Sequence, residues 1–437
     1  MNKEIESVLC AVFGDSFEDY EKLVDKAPLR GFRVNTLKTT EREFFRNFPL
    51  SCERSPFADN GYVLREDIAA GAMPSWHAGL FYMQEPSAAS AVSAMGIVPG
   101  MKVLDLCAAP GSKTTQLAEK LENEGFLLAN EFVASRSRIL LENIERHGSA
   151  CTCVTNSSVD KIAERFHGFF DAVLCDAPCS GEGMFRKNPD AMAQWSMDNV
   201  AACARRQKEI LEYAYDCVAA DGILLYSTCT FNKEENEKQV LAFLRAHPDM
   251  TAEKPNVDYG LPSFELGEGT GLGIRIDPMH GGEGHFVMKM RKHGGGAAKV
   301  SLMKSDPVPR EAQVFLDQML EKNYPFLLMK NGKLYGGTAP FFDTGRIHLL
   351  RHQVLLGEMK GKTFVPSHHL FTSAYSGMNN CIELDETQCL RYLHGEEIMC
   401  EARNGWYAVM YKGYVLGGAK CSCGRLKNKY PTQLRMR

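Results

Sequence analysis

Two cysteines in this chain stand where a thiol can do chemistry. Cys179 lies in Asp176-Ala177-Pro178-Cys179-Ser180-Gly181-Glu182-Gly183, and Cys229 in Tyr226-Ser227-Thr228-Cys229-Thr230-Phe231. Each segment follows an apolar run of strand type, Phe170 to Cys175 and Gly222 to Leu225. Ligands of an open parallel sheet sit outside the carboxyl ends of its strands, so both segments should face one cleft. A lone cysteine there is usually a small buried residue, but two of them, one beside Asp-Ala-Pro, argue for more. Cysteine is the most nucleophilic side chain near neutral pH. Carbon 5 of a cytosine is a poor nucleophile, and a thiolate added at carbon 6 makes it able to attack an electrophilic methyl group. Negative charge builds on the ring meanwhile, and a protonated or hydrogen-bonding Asp176 at N3 would stabilise it. A second group must help remove the carbon 5 proton, and Cys179 is placed for that. Spacing alone leaves open which cysteine attacks.

A cofactor turn precedes them. In Val103-Leu104-Asp105-Leu106-Cys107-Ala108-Ala109-Pro110-Gly111-Ser112-Lys113-Thr114, small residues follow an apolar strand and open a helix. There the backbone must approach a ligand closely, and the helix N-terminus offers free N–H groups. It is not a phosphate loop, because the Gly-x-x-x-x-Gly-Lys-Ser/Thr spacing is absent. About twenty residues on, Asn130-Glu131 places a carboxylate at the next strand end, where this topology bonds ribose hydroxyls.

The elements that must hold these segments alternate. Met101–Leu106, Phe126–Asn130, Phe170–Cys175 and Gly222–Ser227 read as strands. Ser112–Leu121, Ser135–His147 and Val200–Ala219 read as helices, which gives a parallel sheet covered on both faces. Residues 1–95 mix helical patterns with short strands such as Gly31 to Leu37. A Gly-rich linker is expected over 291–310, a small α/β module over 311–370 and a β-rich module over 371–437. At 437 residues with 44% apolar and 24% charged side chains, several cores are expected. The net charge of -4 excludes coating of nucleic acid through bulk charge, but not a local basic surface. The last fourteen residues carry Arg425, Lys427, Lys429, Arg435 and Arg437 and no acid. No leader or membrane span is read, so a cytoplasmic protein is expected, with its fifteen cysteines reduced. Nothing demands more than a monomer.

The chain resembles the bacterial RsmF-like members of the Nop/Sun group of RNA (cytosine-5) methyltransferases. The matching text includes Arg33-Val34-Asn35-Thr36, Tyr82-Met83-Gln84-Glu85-Pro86-Ser87-Ala88, the turn at 105–114, both cysteine segments, Arg275 to His280, Gly282 to Phe286 and Leu426 to Pro431. The resemblance implies a Rossmann-like class I methyltransferase domain over 96–290, an N-terminal α+β RNA-binding region and a terminal PUA-like RNA-binding module. It implies S-adenosyl-L-methionine as cofactor, held by Cys107, Ala108, Ala109, Pro110, Gly111, Ser112, Lys113, Glu131, Arg136 and Asp176. It assigns attack to Cys229 and product release to Cys179, although DNA cytosine methyltransferases use the Pro-Cys position. Its usual substrate is small-subunit (16S) ribosomal RNA.

One departure stands out. Where such enzymes carry an aspartate near the adenine, this chain has Ser158, a weaker partner. RNA contacts are expected from Arg33, Asn35, Lys187, Arg206, Lys427 and Lys429. Cys421-Ser422-Cys423 lacks the spacing and the second pair of a metal site, so no metal is expected. His368-His369 also lacks partners in sequence. The alternatives are a tRNA cytosine-5 methyltransferase, a non-catalytic RNA-binding ribosome assembly factor, and an amino-methyltransferase. The last favours Asn/Asp-Pro-Pro-Tyr/Phe where this chain has Asp-Ala-Pro-Cys.

Overall fold

Apolar strands separated by helices form a ten-stranded sheet at the centre of the molecule. The computed structural model describes residues 3–296 and 298–436. Met1, Asn2, Ala297 of the expected linker, Arg437 of the basic tail and the side chain of Pro189 lie outside the described residues. Lys102–Asp105 occupies the middle of the sheet. Phe126–Asn130 and Thr152–Thr155 lie to one side of it, Phe170–Asp176 and Val218–Thr228 to the other, all parallel. Strand order reverses beside Lys102–Asp105, which puts a crevice at the carboxyl ends of these strands. Val103, Leu104, Val173, Leu174, Leu224 and Leu225 are all buried because helices cover both faces.

Antiparallel strands extend the sheet. His285–Lys292 pairs with Val218–Thr228, with Phe286 opposite Thr228 and Val287 opposite Ser227. The helix Ser112–Leu121 and the strand Phe126–Asn130 have the expected bounds. The long helix runs Met197–Cys217, because the side chain of Ser196 accepts from the Asn199 N–H and starts it early.

The expected module boundaries are crossed by packing. Within 311–370, Leu349–Arg351 leaves its neighbours and pairs antiparallel with Thr152–Thr155 at the edge of the central sheet. Buried Arg351 donates to the carbonyls of Thr152 and Ser149 and fixes that crossing. The stretch 291–310 is not a free linker. Arg291 and Lys292 complete a strand, Arg310 opens the helix Arg310–Met319, and Met303 and Asp306 donate to Phe341 and Met329.

The N-terminal four-stranded sheet shares a core with the five-stranded terminal sheet, where Phe32, Phe44 and Phe81 join Tyr392, Val409 and Leu426. The helices Lys3–Phe13 and Phe17–Val24 lay Leu9 and Tyr20 against Phe185, Trp195 and Phe231, over both cysteine loops. His369 is half-buried, with Nε2 3.2 Å from Glu145. No helix among the described residues is long and apolar enough to cross a membrane.

Two expected RNA contacts are corrected here. Arg33 is 1% exposed and donates to both carboxylate oxygens of Glu119, to Thr115 and to Gln84. Asn35 is fully buried and donates to the carbonyls of Gly79 and His147. Both lock the N-terminal region to the central domain. A guanidinium tolerates burial where a carboxylate meets its fork, as Glu119 does.

Candidate active site

The strand Phe170–Asp176 delivers Asp176, and three residues later the loop delivers Cys179. The adjacent strand Val218–Thr228 delivers Ser227 and then Cys229. The two sulfur atoms lie 3.2 Å apart. Between these loops, Gly183 N–H donates to the Cys229 carbonyl, and a Cβ on Gly183 would stand 3.0 Å from that oxygen. A side chain there would have to push backbone oxygens of both neighbouring loops aside.

Two buried carboxylates hold the loops. Glu182 accepts from the backbone N–H groups of Phe231 and Asn232, from the Asn232 amide and from the Trp195 indole. Glu235 accepts from Ser180 N–H, the Asn232 amide and the Gln207 amide, and Gln207 also donates to the Pro178 carbonyl. Each carboxylate thus ties the Cys179 loop to the Cys229 loop. Reading by residue type missed their role, although Glu182 sits inside the Ser-Gly-Glu-Gly text.

Asp176 sits between three groups. Its Oδ2 accepts from the Lys113 ammonium at 2.8 Å, its Oδ1 accepts from Ser227 at 2.7 Å, and His285 Nε2 lies 3.7 Å from Oδ1. Burial alone would raise its pKa, but the Lys113 ammonium at 2.8 Å outweighs it and holds the carboxyl well below the usual range. Of the two forms expected of Asp176, protonated or hydrogen-bonding, these neighbours favour the hydrogen-bonding carboxylate. Lys113 lines the same cavity as Asp176, with its ammonium against that carboxylate. At Cys179, the bond to Cys229 and then burial push the thiol well above its ordinary value.

The cofactor turn lies beside this cluster. Cys107, Ala108, Ala109, Pro110, Ser112 and Lys113 share a cavity of about 170 Å³ with Asp105, Asp176, Cys229 and His285. Gly111 has φ +109° and starts the helix, and an added Cβ would press on Leu140 at 3.2 Å. Arg136 donates to the Ala109 carbonyl and stands 3.6 Å from Glu131, which ends its strand as expected. Ser158 is half-buried at the start of the helix Val159–Arg165.

Asp105 was missed, and an acid inside an apolar strand was the available signal. Its Oδ2 accepts from Thr114, while its Oδ1 is buried with no hydrogen-bond partner. Burial pushes it up to about 7. An orphaned acidic oxygen beside small residues and a helix N-terminus fits a ligand that brings a cation, and S-adenosylmethionine carries an ammonium and a sulfonium.

The remaining predicted contacts divide. Lys187 is half-buried above the cleft; burial lowers its pKa, partly offset by Glu85, Glu283 and Cys229. Arg206 is exposed, next to Gln207 on the helix Met197–Cys217. Lys427 and Lys429 are exposed on the terminal module. Buried Cys421 has its sulfur 3.5 Å from Cys400, while Cys423 is exposed. Among the described residues no group of three or more His, Cys, Asp or Glu is placed to hold a metal.

A central strand flanked by order reversal, a small-residue turn into a helix, and an acid at the next strand end define a Rossmann-like methyltransferase of the S-adenosylmethionine-dependent class. Residues 93–291 match the family model of the 16S rRNA methyltransferase RsmB/F, residues 1–86 the N-terminal domain of 16S rRNA methyltransferase RsmF, and residues 379–436 the methyltransferase RsmF PUA domain. The ribosomal RNA small subunit methyltransferase F of Vibrio cholerae is 33% identical over 93% of this chain and 91% of its own. That of Escherichia coli O157:H7 is 32% identical over 96% and 93%. A methyltransferase homologue from Pyrococcus horikoshii superposes with a TM-score of 0.60 at 30% identity, covering 67% of this chain and 95% of that one. The chain belongs to the ribosomal RNA small subunit methyltransferase F family.

Proposed function

We propose that this protein methylates carbon 5 of a cytosine in 16S ribosomal RNA, with S-adenosyl-L-methionine as methyl donor and Cys229 as nucleophile. The observation that carries the reading is the Cys179–Cys229 sulfur contact, with Cys229 lining the same cavity as Asp176 and the small-residue turn. The 107–113 turn, Asp105 and Glu131 would hold the cofactor, Asp105 by its ammonium and Glu131 by its ribose hydroxyls, and it would supply an electrophilic sulfonium methyl.

Cys229 adds to carbon 6 through its sulfur, and carbon 5 then takes the methyl group. Asp176, as a carboxylate, accepts from the exocyclic amine of the base, while the Lys113 ammonium offsets charge on the ring. In the last step the carbon 5 proton passes to Cys179 as the proton of Cys179 passes to the departing Cys229 sulfur. The raised pKa of Cys179 keeps that proton available. The target base must leave any stack to reach the cleft, so the RNA is looped or locally opened.

Lys187, Arg206, Lys427 and Lys429 are assigned to RNA, together with the N-terminal region and the PUA module. One chain carries the whole site, so a monomer in the cytoplasm suffices. Incubation with labelled cofactor and immature small subunits or tRNA, followed by bisulfite sequencing, tests this reading. A 5-methylcytosine in 16S rRNA supports it, label in tRNA alone selects the alternative substrate, and no label in any RNA overturns it.

A further inference from the structure

We infer that His285 is the general base that takes the proton of Cys229, with Asp176 stabilising the imidazolium that results. The inference rests on the proposed role of Cys229 and goes beyond it. His285 is 4% exposed and lines the cavity that Cys229 and Asp176 line. Its Nδ1 lies 3.2 Å from the Gly284 carbonyl, an acceptor, so Nδ1 carries the hydrogen in the neutral ring. Nε2 is then a bare lone pair. That atom is buried, has no hydrogen-bond partner and stands 3.7 Å from a carboxylate oxygen. Two acceptors face each other, an arrangement that a proton arriving at Nε2 turns from repulsion into attraction.

The sheet register places the donor. Phe286 pairs with Thr228 and Val287 with Ser227 in antiparallel register, so His285 lies one position past the last ladder pair and Cys229 follows that pair at the bend ending the neighbouring strand. Both side chains line the same cavity, together with Asp176. Thiol, imidazole and carboxylate therefore follow one another in one cleft, as a base oriented by a third group requires. Other charged groups around the imidazole are Lys113 from the helix Ser112–Leu121, Asp105 from the central strand, and Glu85 and Glu283 from the loops at the cavity mouth.

The proton count closes. The Cys229 S–H bond breaks, its proton goes to Nε2, and the sulfur electron pair forms the bond to carbon 6. His285 later releases that proton to water. At the end the carbon 5 proton replaces that of Cys179, and the proton of Cys179 restores Cys229. One proton leaves per methyl transferred.

The test needs no RNA. Iodoacetamide alkylation of Cys229 in the full chain, read by mass spectrometry of its peptide between pH 5 and 9, reports thiolate formation. The wild-type profile should rise with an inflection near that of an imidazole. His285→Gln should slow alkylation of Cys229 at pH 7 by about tenfold or more, with half-buried Cys52 unchanged as internal control. Equal rates at Cys229 in wild type and variant would overturn the inference. If His285→Gln and His285→Asn both unfold, the wild-type profile decides: an inflection below pH 7.5 supports the pair, and a single rise above pH 8 contradicts it. Methyl transfer by Cys229→Ala at the normal rate would sink the function proposed above, an outcome read separately from the alkylation profile.

Discussion

The sulfur atoms of Cys179 and Cys229 stand 3.2 Å apart although fifty positions separate them in the chain. Two parallel strands, Phe170–Asp176 and Val218–Thr228, end side by side and bring them together. The contact is held from below by Glu182 and Glu235, and that support has measurable consequences.

Glu182→Gln puts an amide donor where four donors already converge, so at least two of the bonds to the Cys229 loop and Trp195 are lost. Small displacements of reacting groups cost up to about a hundredfold in rate. We expect kcat to fall roughly 10- to 100-fold with cofactor affinity unchanged by calorimetry. A wild-type kcat would show that the loops position themselves without it.

Arg33 is expected to govern stability rather than RNA affinity. Arg33→Ala strands Glu119 in the interior, at a cost of about 3–5 kcal/mol by urea unfolding. Burial would raise Glu119, but Arg33 and His147 hold it at about 2. An unfolded glutamate titrates near 4.3. The pair's contribution is therefore complete above about pH 4.3 and lost as pH falls toward 2. Stability of Arg33→Ala that matched wild type at pH 7 would contradict this.

The resemblance to the Nop/Sun enzymes implies an aspartate near the adenine where this chain has Ser158, half-buried at the start of the helix Val159–Arg165. Ser158→Asp should tighten S-adenosylmethionine binding about tenfold, since a charge-assisted hydrogen bond is the stronger one. Titration calorimetry reads the change, and weaker binding would place Ser158 away from the cofactor.

Lys427 and Lys429 are exposed on the PUA module, where they are free to meet phosphates. Lys427→Ala and Lys429→Ala should each lower affinity for 16S rRNA fragments irrespective of sequence, and flatten the salt dependence by about one unit of log–log slope. An unchanged slope would remove them from the interface.

Much of this site was legible because its chemistry is carried by short segments at strand ends. The 105–114 turn, Glu131, Asp176 and both cysteines combine small, acidic and nucleophilic residues directly after apolar strands, and strand ends converge in this topology. What escaped depends on pairing across the fold. Arg33 and Asn35 read as RNA contacts because they lie in matching text of an N-terminal region that the resemblance assigns to RNA, and Glu119, far along the chain, could not be seen to bury Arg33. The ion pair of Lys113 with Asp176 escaped because the two come from different elements. Leu349–Arg351 is too short to alternate, so nothing marked it as the tenth strand of the central sheet.

The most direct measurement is the trapping of enzyme on RNA. With Cys179 replaced by alanine, the carbon 5 proton and the departing sulfur lose their relay, so the adduct at Cys229 should accumulate. Full-length Cys179→Ala protein, incubated with immature small subunits and S-adenosylmethionine, should give a complex stable to denaturing gels, with mass spectrometry locating the cross-link at Cys229. The double variant with Cys229→Ala should give none. A cross-link at another residue, or normal turnover by Cys229→Ala, would contradict the account.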